Sequence, residues 1–294
     1  MIRRRMAMKW LIIFLIPAVF IYTWLLVMPL LDTMRLTFYS SAGGTDRWIG
    51  LGNYEFIFGN EFMWSRFVNA MVNNLVYFVI HLAVQIPLGI LLAGLLTVPK
   101  LRGRAAFRTV FFIPTTLSVV ITGFLWQLIL NPVWGIVDTP LLGRESTALP
   151  TLALISVWQY VGIPMIFFYA VLIRMPAELF EAAEVDGANQ LQIFRRVKLP
   201  LMLPMIGIVT IVTYLSSLNA FDLIFAVRGS YAGPNYSTDI FGTLFYRTAF
   251  GADDVTLGSL TLGATVATLV FIVMLIGSLI YLFFVQRRLV TYDY

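Results

Sequence analysis

The sequence predicts an all-α integral membrane protein, a bundle of six transmembrane helices. Hydrophobic residues make up 60% of the 294 and charged residues only 12%, against about 45–50% and about 25% in soluble domains. One water-surrounded core of this size cannot bury that much apolar surface, so the excess must face lipid. The apolar residues also fall in six continuous runs, near 10–31, 72–98, 107–130, 150–173, 201–227 and 259–285. Each reaches the roughly 20 residues that a bilayer crossing needs. Continuous runs, rather than alternating segments of about ten residues, argue against a β-barrel.

The first run follows a basic start and resembles a signal peptide. It is too long for one and has no small-x-small cleavage site after it, so an uncleaved first span is expected. Pro17, Pro87, Pro114 and Pro164 lie inside the runs. Each removes a backbone donor, and neighbouring helices are expected to satisfy the carbonyls so freed.

Basic residues set the orientation. Arg3, Arg4, Arg5, Lys9, Lys100, Arg102, Arg104, Arg108, Arg174, Arg195, Arg196, Lys198, Arg287 and Arg288 fall on one side, fourteen of the twenty Lys and Arg. Both termini, 99–106 and 174–200 are therefore expected in the cytoplasm, with 32–71, 131–149 and 228–258 outside. The same bias accounts for the net charge of +5, so no nucleic-acid partner is implied.

Catalytic signatures are missing. With no cysteine, thiol catalysis and thiolate metal sites are excluded. No Gly-Lys pair exists to form a P-loop, and there is no G-x-S-x-G elbow. The single histidine, His81, sits in mid-span, where hydrogen bonding to a neighbouring helix is expected of it rather than a ligand role. The sequence implies neither an enzyme, nor a metal, nor a cofactor on this chain.

The most informative segment is the loop 176–200, expected to form two short helices. Pro176 suits a first helical position, and Gly187 the left-handed residue that ends a helix. Asn189 suits the cap of a second helix whose apolar side is Leu191, Phe194 and Val197, with Pro200 stopping it. Glu178, Glu181, Glu184 and Asp186 precede Arg195, Arg196 and Lys198. Either the acids await an external basic partner or the two halves neutralise each other; the charges alone leave both open.

Glu181-Ala182-Ala183, Asp186-Gly187-Ala188, Phe194 and Leu199-Pro200 together resemble the cytoplasmic EAA signature of permease subunits in binding-protein-dependent ABC importers. The spacing E-A-A-x-x-D-G-A-x(5)-F-x(4)-L-P is highly specific, and the likeness runs from about 67 to 289. Asn73-Asn74, Gly103-Arg104, Trp126, Gly135, Trp158 and Gly162 also look like this family. Ile49-Gly50-Leu51-Gly52-Asn53-Tyr54 resembles the first of the two paired membrane subunits of maltose-type carbohydrate permeases. Phe180, Val197 and Asp138 depart mildly from the pattern.

The resemblance implies a type I importer permease fold with a cytoplasmic coupling helix, in a bacterial inner membrane. It divides the chain into 1–66 (tail, first helix and external loop), a transmembrane domain 67–289 and a cytoplasmic tail 290–294. The implied partners are a second permease subunit, two ATPase subunits holding ATP and Mg, an extracytoplasmic solute-binding protein and a carbohydrate. Glu178, Glu181, Ala182, Ala183, Asp186, Gly187, Phe194 and Pro200 would couple the chain to the ATPase.

A solute site is expected where polar groups cluster at lipid depth. Asn219 and Asp222, three apart on one helical face, have Phe225 three further on and Tyr214 and Phe221 beside them; Ser259 and Thr265 would face them from the sixth span. The stretch Asn219–Asp222 also resembles the solute-contacting region of the family. The alternative is a secondary transporter or channel for a small solute. That class usually places more ionisable residues in mid-membrane than His81 and Asp222.

Overall fold

The structure is a computed structural model that describes residues 13–40, 47–98, 101–251 and 258–285. Arg3, Arg4, Arg5, Lys9, Lys100, Arg287, Arg288 and the tail 290–294 lie outside the described residues. Helices α1 (Ile13–Leu36), α3 (Glu61–Leu96) and α13 (Leu260–Phe284) are each long and apolar enough to cross a bilayer. Gln190–Arg228 is a fourth such segment. Two bent pairs raise the total to six if each pair is one span. They are α4 (Arg104–Phe112) with α5 (Val119–Ile129), and α6 (Glu145–Tyr160) with α7 (Gly162–Leu172). Shorter elements are the hairpin β1 (Tyr39–Ser40) and β2 (Arg47–Trp48), α2 (Gly52–Gly59) and α8 (Glu178–Val185). The chain continues through α9 (Gln190–Ile193), α10 (Leu199–Leu218), α11 (Asp222–Arg228) and α12 (Phe241–Phe250).

The all-helical expectation holds, but prolines shape the spans more than hydropathy reveals. The backbone N–H groups of Met28, Ile86 and Leu199 bond five residues back, to Thr23, His81 and Phe194. Each stands immediately before a proline (Pro29, Pro87, Pro200). The proline ring would clash with the carbonyl four residues back, and one widened π turn makes room for it. The sequence expectation that Pro200 stops the second helix of the 176–200 loop is therefore corrected; the chain stays helical from Gln190 to Leu218.

The third and fourth spans are not straight helices. The α4–α5 pair bends by 98°, where Leu117 and Ser118 are extended (ψ 144° and 133°). The α6–α7 pair bends by 45° at Val161, ahead of Pro164. Glycines let these broken helices approach closely. A Cβ on Gly162 would lie 2.7 Å from the Phe111 carbonyl oxygen, and one on Gly89 3.0 Å from Pro164. The second span begins earlier than hydropathy suggests, so Asn73 and Asn74 sit inside α3 rather than opening it.

The chain divides into two compact units, residues 1–64 with 245–269 and residues 65–244 with 270–294. In the first, the motif residue Asn53 is buried. Its amide donates to the Thr37 and Tyr39 carbonyls at 2.8 Å each, while Trp48 stacks on Phe38 with centroids 5.6 Å apart. These contacts hold the hairpin to the end of α1. In the second unit, one buried cluster joins Tyr77, Leu152, Ile155, Leu223 and Ile224; another joins Ile86, Ala93, Phe168, Leu172 and Met202. Because lipid is as apolar as leucine, packing and interhelical hydrogen bonds hold such helices together.

Asn74 shows how those bonds are placed. It is fully buried; its amide donates to the Ser217 carbonyl at 2.8 Å, and its carbonyl oxygen accepts from the Phe241 N–H at 2.8 Å. One side chain thereby satisfies the end of α10 and the start of α12, both of which leave backbone groups unpaired. Asn69 and Asn73 donate to the Tyr236 and Asp239 carbonyls at 2.9 and 2.8 Å, fastening the loop after α11 to the same helix.

Candidate functional site

Two places carry candidate chemistry, the loop around Gly187 and a cavity within the second unit. The loop is built as its residues dictate, with two adjustments. Helix α8 begins at Glu178, two residues past Pro176. It ends with Gly187 at φ +80°, the Gly187 N–H bonding the Glu184 carbonyl and the Ala188 N–H the Ala183 carbonyl. That pair of bonds defines a Schellman cap and requires a left-handed residue. Open space surrounds the position where a Gly187 Cβ would stand, so backbone angle rather than room selects glycine. Asn189 then caps α9 in a closed box, accepting from the Gln192 N–H at 2.9 Å while its own N–H donates to the Gln192 side chain at 2.8 Å. The residue that anchors this second helix is Ile193, which is 1% exposed, whereas Leu191 points outward at 65%.

Phe194 lies against the membrane helix α3, its ring edge 2.9 Å from where a Gly94 Cβ would stand. Phe180 packs against the core that contains Phe168 and Met202, with the Lys198 ammonium 4.7 Å from its ring centre. The loop is thus seated on the helix bundle through its two phenylalanines. Glu178, Glu181, Ala182, Glu184 and Asp186 stand exposed, and Val185 is 88% exposed. Among the described residues no ion pair joins these acids to Arg195, Arg196 or Lys198; the Glu184 carboxylate accepts from the Gln190 side chain at 2.8 Å and acts electrostatically on the Lys198 ammonium. Of the mutual neutralisation left open by the charges, the side chains show the Glu184–Lys198 interaction, while Glu178, Glu181 and Asp186 form no ion pair with the basic half among the described residues.

The cavity, about 460 Å³, lies among α3, α6, α7, α10 and α11. Asn219, Phe221 and Asp222 line it. They do not share a helical face: α10 ends at Leu218, and Phe221 (φ −151°, ψ −57°) turns the chain before Asp222 starts α11. The break leaves Asp222 at the start of α11, where a helix N-terminus favours negative charge.

Tyr214, Phe225, Ser259 and Thr265 are not among the residues that line this cavity. The Tyr214 hydroxyl donates to the Val273 carbonyl at 3.1 Å, and its ring meets Phe78 edge-on. Phe225 stacks behind Phe221, with centroids 4.8 Å apart. Ser259 and Thr265 belong to the first unit; Ser259 Oγ is 3.1 Å from Thr261 Oγ1, and the Thr265 hydroxyl donates to the Thr261 carbonyl at 2.8 Å.

Sequence reasoning missed the polar wall opposite Asn219. His81, Gln85, Ser156 and Tyr160 all line the cavity. His81 Nδ1 is 2.8 Å from the Tyr77 carbonyl, which can only accept, so Nδ1 carries the proton. Nε2 then accepts from the Ser156 hydroxyl at 3.1 Å. The histidine does bond a neighbouring helix, and that same bond faces the cavity. The available signal was spacing, since His81 and Gln85, like Ser156 and Tyr160, are four apart within otherwise apolar runs. Among the described residues no Lys or Arg lines the cavity, and Asp222 is the one carboxylate. No group of three or more metal-ligating side chains occurs among the described residues.

Comparison with known proteins fits this architecture. The probable ABC transporter permease YurN of Bacillus subtilis is 29% identical over 91% of this chain and 92% of its own. MsmF of Streptococcus mutans, a multiple sugar-binding transport system permease, is 34% identical over 69% of this chain and 70% of its own. The fold matches a bacterial alginate ABC transporter solved in complex with its pentasaccharide-bound periplasmic protein. That match has a TM-score of 0.82 at 21% identity, covering 99% of both chains. Residues 85–290 match the family of binding-protein-dependent transport system inner membrane components, a stretch that contains the Gly187 loop and most of the cavity wall. The chain belongs to that family: it is a multi-pass inner-membrane permease subunit of an ABC importer.

Proposed function

We propose that this chain forms half of the translocation pathway for a carbohydrate, handed over by an extracytoplasmic binding protein and driven by separate ATPase subunits that hold the nucleotide and its magnesium. Both termini lie in the cytoplasm on this reading. Residues 67–289 form the transporting domain, behind a first helix and external loop at 1–66. Glu178, Glu181 and Asp186 meet basic groups of an ATPase subunit. Ala182 and Ala183 allow close approach, Gly187 sets the turn, and Phe194 and Pro200 pass its movement to α3 and α10. The observation that carries this reading is the exposed acidic face of α8, where Glu178 and Glu181 form no ion pair among the described residues, mounted on the bundle by Phe180 and Phe194. ATP-driven closure of the ATPase pair would move such a seated loop and alternate access to the cavity.

The carbohydrate assignment rests on the cavity. Asn219, Asp222, Gln85 and Tyr160 offer donors and acceptors for hydroxyls, and Phe221, backed by Phe225, offers a flat apolar face for a sugar ring. With no cation in its wall among the described residues, the cavity suits an uncharged sugar. The relative MsmF, named for multiple sugars, points the same way. The test is uptake of radiolabelled neutral oligosaccharides by the assembled transporter in proteoliposomes, with binding protein outside and ATP inside. Uptake that needs both supports the proposal. Uptake driven by a proton or sodium gradient, indifferent to ATP, would instead establish the secondary-transporter alternative.

A further inference from the structure

A second recess, of about 420 Å³, lies on another side of α6 from the polar cavity. Ser156 and Tyr160 face the polar cavity, while Leu154, Val157 and Trp158 line the recess, completed by Leu88 and Leu92 of α3 and Val110 and Phe111 of α4. Every described side chain that lines it is apolar apart from the Trp158 indole N–H. Val157 and Leu92 form a buried floor, whereas Val110 (60% exposed) and Leu154 (49% exposed) form open rims. A groove of this shape along membrane helices suits hydrocarbon and offers nothing to a sugar.

Charge at one end specifies the occupant. Helix α4 carries Arg108 three residues before Phe111, so the two are neighbours on one helix face, with Arg104 a further turn back. The Arg104 guanidinium donates to the Val98 carbonyl at 3.0 Å, closing the end of the α3 region. Arg102 and Arg108 stand exposed, with no ion pair among the described residues. Leu92 and Val110 lie toward this basic end, and Leu88, Pro114 and Leu154 lie farther from it along their helices. The groove therefore runs from an arginine cluster into the apolar depth.

We infer that this groove binds one anionic phospholipid, its phosphate at Arg102 and Arg108 and an acyl chain against Val110, Phe111, Trp158 and Leu154. Basic clusters at the ends of membrane helices recognise anionic headgroups, each arginine strengthening attachment roughly fivefold. The site is separate from the solute cavity and does not rest on the identity of the transported molecule.

The test purifies the assembled transporter from nanodiscs of mixed phosphatidylglycerol and phosphatidylcholine and measures retained lipid by native mass spectrometry. One tightly held phosphatidylglycerol per permease is expected. The double variant Arg102→Gln/Arg108→Gln should lower its retention by about thirtyfold. Leu154→Trp, which fills the groove and leaves the arginines intact, should lower it as well. Retention of both lipids alike overturns the inference. So does loss on removing the arginines without loss on filling the groove, which would mean a surface charge effect alone. A cysteine at Val110 that cross-links efficiently to the partner permease would show the groove covered by protein, and would likewise overturn it.

Discussion

The Gln85 side-chain amide donates to the Tyr160 backbone carbonyl at 3.0 Å. That carbonyl lies four residues before Pro164, where an ordinary helix would supply an N–H that proline lacks. A neighbouring helix thus repairs the break that bends α6 against α7, and does so in the wall of the cavity. Gln85→Leu should destabilise the transporter by about 1–2 kcal/mol. In a Pro164→Ala background, which restores the missing N–H, the same change should cost clearly less. Thermal unfolding of the four species in detergent checks this, and equal costs in both backgrounds would contradict the repair.

The Gly94–Phe194 contact should be the mechanical seat of the loop. A side chain at Gly94 must displace the Phe194 ring, whose edge would lie 2.9 Å from the new Cβ. Gly94→Val is expected to reduce ATP-driven uptake at least tenfold, on the order of 1.4 kcal/mol of coupling. Combining it with Phe194→Leu should restore part of the loss. Uptake at several ATP concentrations, with quantified ATPase subunit association, measures both effects.

At Gly187 the demand is conformational. Asparagine tolerates the left-handed region and valine does not. Since nothing lies within 4 Å of the added Cβ, Gly187→Asn should retain substantial coupled ATPase activity. Gly187→Val should cost about 1–2 kcal/mol at the turn and lose coupling. Equal activity in the two variants would mean that the cap is dispensable.

In the cavity, Asn219→Ala and Tyr160→Phe should raise the solute concentration for half-maximal uptake by about fivefold to tenfold, the effect of losing about one hydrogen bond. Tyr214→Phe removes only the bond to Val273. It should lower thermal stability and leave solute preference unchanged. A competition assay among neutral oligosaccharides separates these outcomes.

Most of the helices and the loop were legible because hydropathy and capping act locally. Gly187 and Asn189 declare their turns through backbone conformation and side-chain reach, and both stand as the residues demanded. The helix breaks were harder to see. Leu117 and Phe221 look like ordinary span residues, and what makes their extended or turned backbones tolerable lies elsewhere in the sequence. For Leu117 that is Gln159, whose amide donates to the Leu117 carbonyl at 3.1 Å. The cavity was half legible for the same reason: Asn219 and Asp222 advertise polarity beside one another, while His81, Gln85, Ser156 and Tyr160 reach the site only once α3 and α6 pack together. Tyr214 misleads because an aromatic hydroxyl in a membrane helix serves either a ligand or a neighbouring carbonyl, and the sequence does not distinguish the two.

The central claim is that the loop around Gly187 docks on an ATPase subunit in the cytoplasm. Val185, 88% exposed beside the turn, is the position to probe in a chain that has no cysteine. With Val185→Cys and single cysteines in the ATPase surface that faces the membrane, oxidation of inverted vesicles should give a covalent permease–ATPase adduct, and an impermeant thiol reagent should not label intact cells. Labelling from outside intact cells, with no adduct to any ATPase position, would contradict the account.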